Sequence, residues 1–447
     1  MSGIAGCARS DARVAVEAML MNIAHRGPAG SLIEDATGAT LGVVWTRTQA
    51  TAERTLQSEL TAMDCAEAGR LALASGTPTG VRLTRDRIGV APLYYGKDDG
   101  GVICFASEVK ALLPITRRVK CLPPGHSLIN EEVQAYLPPA ESRTISSSPR
   151  STAKELHTRL SGAIQQCITG DEMASWLSGG LDSSVIAALA RPHVRRLSTF
   201  AAGLAGAADL DYARRVAKHI QSEHREIIVT LEAMLQVLPD VIYHLESFDA
   251  LLVRSSIINY LVGKAASDYS AATLSGEGGD ELFAGYAYLK DLDPAQLDAE
   301  LLDITGRLHN TALQRVDRCS SAHGIVAHVP FLAPDIVDFA FRIPAEFKLR
   351  DGVEKWIVRQ AVRNLLPASV LNRTKSKFWE GAGVGDLLAE HAETRISDGD
   401  FETERGLPNG WQLRTKEELM YYRVFRDHFG ELEDLDWMGR TKGAPEN

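Results

Sequence analysis

The sequence predicts an α/β protein: a β-rich first part, then a parallel sheet covered by helices, then a mainly helical end. Three observations carry this. The first 140 residues hold short alternating runs bounded by turn residues; residues 173–274 alternate short apolar runs with longer helical segments; and two of those runs open through glycine-rich turns into helices. At roughly 150 residues per domain, 447 residues suit about three domains.

In the first part, Arg82 to Thr84 and Gly101 to Ala106 (GVICFA) read as strands. Leu137 to Thr152 mixes prolines with a serine-rich polar stretch and lacks apolar period, so it reads as a connector. Domains are therefore expected over 1–140 and 153–447, with a linker at 141–152. Beyond it, strands are expected at Met173 to Leu177, Leu197 to Ala202, near Glu226 to Val229, and at Ala271 to Leu274. Helices are expected after Leu181 and over Asp209 to Gln221, and from Pro294 onward the pattern is mainly helical.

Composition narrows the function. Forty-eight Lys plus Arg against 58 Asp plus Glu leave a formal charge of −10, the wrong sign for a nucleic-acid partner. The longest apolar stretches, such as Ser255 to Gly263, are too short to cross a bilayer, and Met1 to Ala24 lacks a basic start with a long apolar run, so no membrane partner or export is expected. Six cysteines without a CxxC pair suggest neither a zinc ribbon nor a dense disulfide framework, and fit a cytoplasmic protein.

Met173 to Ala190 (MASWLSGGLDSSVIAALA) runs from a strand through two glycines and three serines into a helix. Gly179 and Gly180 can present bare backbone N–H groups, and the positive end of the helix faces the same spot, a geometry that binds an anion. Ser178, Ser183 and Ser184 add hydroxyls, with Leu177 leading into the loop. Asp182 is out of place beside an anion unless magnesium lies between carboxylate and phosphate, which makes it a metal candidate. A serine-rich turn capping a helix is the plainer alternative. The absence of GxxxxGK[ST] excludes a Walker-type site.

Ala271 to Leu289 (AATLSGEGGDELFAGYAYL) repeats the logic of strand, glycine-rich turn and helix. Ser275 and Gly276 open the turn, and Glu277, Asp280 and Glu281 crowd three carboxylates around it. Loops after strands of a parallel sheet converge at the carboxyl edge, so this turn can face Asp182. Asp280 is assigned to magnesium and Glu277 to proton transfer. Acids in the first turn of a helix are the alternative, one that leaves Glu277 and the glycines unexplained.

The first loop resembles the SGGxDS loop of ATP pyrophosphatases, which implies ATP, release of pyrophosphate and attack at the α-phosphate. With the second loop, the chain resembles the synthetase half of asparagine synthetase. Glu246 to Lys264, Leu308 to Leu332 (ending HGIVAHVPFL), Asp351 to Phe378 and Lys416 to Phe429 follow in the family's order. The resemblance implies an ATP pyrophosphatase fold, ATP with Mg2+, and an essential lysine at Lys355. It implies adenylation of a small-molecule carboxylate, then attack by ammonia or an amine. Arg254, Glu246 and Asp249 are substrate-binding candidates: Arg254 can hold a substrate carboxylate through a forked contact, or instead form a buried ion pair with Glu246 or Asp249. Tyr421, Tyr422, Phe425 and Phe429 fall at helical spacing and read as packing.

The first part resembles the class II glutamine amidotransferase domain attached to that synthetase, an α+β fold with an N-terminal nucleophile. MSGIAGC, HRGP at His25 to Pro28, Arg85 to Tyr95, Phe105 to Leu113 and Leu122 to Leu128 carry the likeness. It is degenerate: serine stands at position 2 where the family has its cysteine, NGEIYN and DTE segments are not found, and only 56 residues separate Pro28 from Arg85. The domain is left with folding, dimerisation or the nitrogen-substrate entrance, and ammonia, an amine, or a partner such as a separate glutaminase or carrier protein becomes the expected source. The synthetase half departs too: Val326, His328 and Ala333 stand where the family has Glu, Arg and Asp, which points away from free aspartate. Alternatives are an ammonia-dependent asparagine synthetase, ring closure as in β-lactam synthetases, and a nucleotide-binding regulatory protein. The ring-closing enzymes lack the Glu that stands here as Glu277, which favours an external amine.

Overall fold

The structure, a computed structural model, describes residues 3–46, 61–64, 69–136, 144–374 and 381–442. Ser2, residues 137–143 of the connector and residues 375–378 of the lysine motif lie outside them.

The first part is built on two antiparallel sheets. One has the order Gly30–Ala36, Ala39–Trp45, Gly3–Cys7, Ile103–Ala106, Tyr94–Lys97, Val119–Cys121. The other has the order Glu132–Ala135, His126–Ile129, Gly80–Arg85, Ala72–Thr77, Thr61–Asp64. Ile4, Leu41, Val43 and Phe105 from the first meet Ala74, Leu83 and Leu128 from the second in one apolar layer. On the other face of the first sheet, helix Arg13–Asn22 buries Val16, Met19 and Leu20. Gly3–Cys7 is therefore buried on both faces, which removes the polar alternation that would mark it as a strand.

The second part opens with helix Pro149–Cys167, which begins inside the stretch read as connector: the Ser148 hydroxyl caps it by accepting from Ser151 N at 3.3 Å, and proline at the first helical position presets the turn. Five parallel strands follow in the order Glu223–Ile228, Arg196–Gly203, Glu172–Trp176, Ala272–Leu274, Val326–His328. Four lie within a few residues of the sequence expectation. The fifth, Val326–His328, falls in a region read as helical, and three residues are too few to display a strand period. The chain moves from Glu172–Trp176 to one side of the sheet and returns on the other. The first strand is thus the topological switch point, where parallel sheets open a crevice at their carboxyl edge.

The two parts are joined by buried charge. Arg26 donates to Glu108 at 2.8 Å and clasps Asp317 through two nitrogens at 2.7 and 3.1 Å. Arg70 and Arg318 each reach Asp317 at 2.7 Å, and Arg318 continues to Glu246 at 3.2 Å. Lys110 donates to Glu246 through its backbone N–H at 2.6 Å and its ammonium at 3.2 Å. All seven side chains are at most 6% exposed. Burial pushes the Asp317 carboxyl upward, but the charges of Arg26, Arg70 and Arg318 outweigh it and hold the group well below the usual carboxylate range.

Removing one partner strands the others in a dry interface, so Arg26→Ala should lower stability by about 3–5 kcal/mol, read from the denaturant midpoint of the full chain. A depressed carboxyl stabilises the fold above its unfolded value of about 3.9 and loses that contribution as pH falls below it. The thermal midpoint should therefore drop on acidification below about pH 4, with a shallower slope in Asp317→Asn.

Candidate active site

Glu172–Trp176 and Ala272–Leu274 are adjacent parallel strands in register, Ala174 opposite Thr273 and Ser175 opposite Leu274, so the loops after them leave the sheet at one level. Buried Leu177 continues the first strand, its N–H donating to Phe200 O at 2.8 Å. Gly179 then turns at φ +72°, where a Cβ would lie 2.5 Å from the backbone nitrogen of Ala213, so only glycine lets the loop settle on helix Ala208–Ile220. Helix Leu181–Ala190 starts from Gly180 with Asp182 in its first turn. The hydroxyls of Ser178 and Ser183 lie 3.1 Å apart at the loop's mouth, whereas Ser184 donates to Gly180 O at 2.6 Å and braces the turn from within.

In the second loop, Ser275 N donates to His328 O at 2.9 Å, tying the turn to the fifth strand. Gly276 follows beside the backbone of Asp182 and Ser183, and a Cβ on Gly279 would sit 2.5 Å from Asp182 Oδ1, so the two loops touch where side chains are missing. Asp280 lies in the first turn of the short helix Gly279–Phe283.

Lys355 joins the loops. Its ammonium contacts the Asp182 carboxylate and lies 2.6 Å from Asp280 Oδ1, and the residue is 2% exposed. It holds φ +53°, unusual for a lysine, at the start of helix Trp356–Ala361, with its N–H donating to Phe283 O at 3.2 Å. Two carboxylates from distant parts of the chain thus converge on the Lys355 nitrogen at the switch point.

Glu277 lies beside this centre, its carboxylate 2.5 Å from the Arg315 guanidinium of helix Ala312–Ser321. Sequence reasoning gave Arg315 no role, and a lone arginine on an amphipathic helix offers no signal. Glu281 is buried and accepts from the Tyr286 hydroxyl; burial, then the charges of Asp280 and Glu277, push its carboxyl up to about 7.

The three residues considered for substrate binding are engaged elsewhere. Arg254 pairs with neither Glu246 nor Asp249 but forks onto Glu417, at 2.7 Å through Nε, and Tyr421 donates to the same carboxylate at 2.7 Å. Glu246 belongs to the interdomain charge network. Asp249 caps helix Ala250–Ser267, accepting from Leu252 N at 3.0 Å, and also binds the Thr441 hydroxyl at 2.7 Å. Tyr421 is therefore more than packing, while Tyr422 and Phe425 do pack edge-on against Phe248. Val326 and Ala333 are buried, and burial pushes the His328 imidazole down to about 3.

Asp182 and Asp280 suit a hard divalent cation, since two carboxylate oxygens reaching a common point are what magnesium takes from a protein when phosphate and water supply the rest. A separate cavity of about 330 Å³, lined by Arg191, Arg195, Arg196 and Glu223, lies at the amino edge of the sheet, opposite the loops.

The family model for asparagine synthase matches residues 155–297 and 293–444, and that for the glutamine amidotransferase domain matches 69–149. Asparagine synthetase B [glutamine-hydrolyzing] of Escherichia coli is 34% identical over 369 residues, covering 77% of this chain and 67% of that protein. Asparagine synthetase [glutamine-hydrolyzing] 3 of Arabidopsis thaliana is 32% identical over 371 residues, covering 77% and 64%. This chain thus spans about two-thirds of the length of such relatives. Among solved structures, an NMN synthetase from Francisella tularensis aligns over 65% of this chain and 98% of its own at 14% identity and a TM-score of 0.30, too slight a likeness to bear on function. With more than half of its length under one family model and these identities, the chain belongs to the asparagine synthase family of ATP-dependent carbon–nitrogen ligases.

Proposed function

We propose that the chain joins a small-molecule carboxylic acid, other than free aspartate, to ammonia or an amine, activating the acid by transfer of AMP from ATP with release of pyrophosphate. The observation that carries this reading is the meeting of Asp182, Asp280 and Lys355 between two glycine-rich loops at the carboxyl edge of the sheet. A carboxylate is a poor electrophile with a poor leaving group, and adenylation remedies both. The N-terminus of helix Leu181–Ala190 with Ser178 and Ser183 offers donors for the departing pyrophosphate, and Lys355 offsets charge developing on the phosphates. Magnesium held by Asp182 and Asp280 would add Lewis-acid charge stabilisation there. Glu277, held by Arg315, takes the proton that the attacking nitrogen must lose.

The departure from aspartate rests on Val326, His328 and Ala333. Three charged groups of the family are replaced on and just after the strand whose His328 carbonyl holds Ser275. The amidotransferase-like part supplies no glutaminase in this reading, because a hydroxyl at Ser2 ionises far less readily than a thiol. Nitrogen then comes as free ammonia or an amine, or from a separate glutaminase or carrier protein.

ATP–pyrophosphate exchange over a panel of organic and amino acids should respond to one acid and not to aspartate; an aspartate response would make the chain an ammonia-dependent asparagine synthetase, and silence across the panel a nucleotide-binding protein. Asp182→Asn should cut exchange by about 10²–10³-fold with an unchanged far-UV spectrum, and unaltered exchange would remove Asp182 from the site. Ser2→Ala should leave ammonia-driven synthesis intact, while loss of a glutamine-supported rate in that variant would restore glutaminase activity to the first part.

A further inference from the structure

The first strand of the chain ends at Cys7, and the register of its antiparallel neighbour Ile103–Ala106 places Cys104 directly opposite. The ladder bonds define what kind of pair this is. Ala8 N donates to Ile103 O at 2.7 Å and Ser107 N to Ile4 O at 2.9 Å, so the hydrogen-bonded pairs are Ala8 with Ile103 and Ile4 with Ser107. By alternation, Cys7 and Cys104 form a non-hydrogen-bonded pair, the class with the shorter Cα separation, about 4.5 Å, and the closer side chains. That separation lies within the span a disulfide bridges. The two Sγ atoms are 3.0 Å apart, both residues are 1% exposed, and both thiols are free.

The pair lies near the ends of the two central strands of this sheet, flanked by Thr40 on one side and Gly96 on the other. Two residues beyond Cys7, Arg9 stands half exposed and pairs at 3.5 Å with Asp98, and the charges of both act on the two thiols. The Cys7 thiol is lowered from its ordinary value, chiefly by the hydrogen bond from Cys104, which favours its thiolate as the attacking member.

We propose that Cys7 and Cys104 are a redox-modification site that closes to a cross-strand disulfide within the amidotransferase-like part. The oxidant is a low-molecular-weight disulfide. The Cys7 thiolate attacks one of its sulfurs and expels one thiolate; the Cys104 thiolate then attacks the mixed disulfide at Cys7 and expels the second. Two protein thiols are oxidised to one Sγ–Sγ bond, the small disulfide is reduced to two thiols, and the two protein protons pass to the leaving thiolates. The bond would tie the strand that follows the N-terminus to one 97 positions later, without altering the register the sheet already has.

The test uses the full chain equilibrated with oxidised and reduced glutathione at graded ratios, quenched with acid, unfolded and alkylated, then digested without reduction. The expected result is a peptide pair joining Cys7 to Cys104, lighter than the two thiol peptides by about 2 Da, increasing with the oxidised fraction and abolished by dithiothreitol. Recovery of both cysteines alkylated at every ratio would overturn the proposal, and wild-type protein alone decides between these outcomes. Cys104→Ser should remove the linked peptide and leave Cys7 alkylated or carrying glutathione; a Cys7 disulfide to another cysteine in that variant and in wild type would also count against the assignment. The oxidised wild-type protein should melt several degrees higher than the reduced one, and an unchanged or lowered midpoint would show that the bond strains the sheet instead of fitting it.

Discussion

The candidate site depends on one cation placed between two anions. Asp182 and Asp280 belong to loops leaving adjacent strands, and the contact between those loops forces their carboxylates together. Two such groups ~5 Å apart repel by about 3 kcal/mol at an effective dielectric of ~20. The Lys355 ammonium contacts both and reverses the sign of that interaction. Its backbone is held by Phe283, just beyond the second loop, so the lysine is fixed to the structure it neutralises. Register, the bare glycines and the left-handed turn at Lys355 are three requirements of a single arrangement.

The same arrangement explains why two strongly acidic loops are tolerated inside a folded protein. Glu281, the most deeply buried acid of the group, accepts from Tyr286 and is pushed toward neutrality instead of adding a further anion. Glu277 is matched by Arg315. Charge is thus balanced locally, and the polar edge of the sheet stays compatible with the apolar layers beneath it, where Leu274, Leu282 and Phe283 are almost wholly buried.

What was legible in the sequence was local. Both glycine-rich turns announce themselves because strand, turn and helix follow within about twenty residues, and the strands beside them appear within a few positions of where the structure has them. Lys355 was legible only through the family's motif, since nothing in its neighbourhood distinguishes it from a solvated lysine. Long-range pairings were not legible. Arg254 meets Glu417, which lies 163 positions away, and an arginine in a helix carries no mark of which acid it will find. Val326–His328 is too short to show a period, and Cys7 and Cys104 become neighbours only through the register of a sheet.

The buried charges between the two parts bear on how such a protein can change over generations. Asp317, Arg318 and Glu246 pair with one another and also take partners from Arg26, Arg70, Glu108 and Lys110 across the interface. A lineage that no longer needed the amidotransferase-like half could let its pocket decay and its loops shorten, yet outright deletion would break every ion pair that crosses the interface and open a buried surface to water. Erosion leaves those contacts in place, whereas excision carries the cost of losing them all at once.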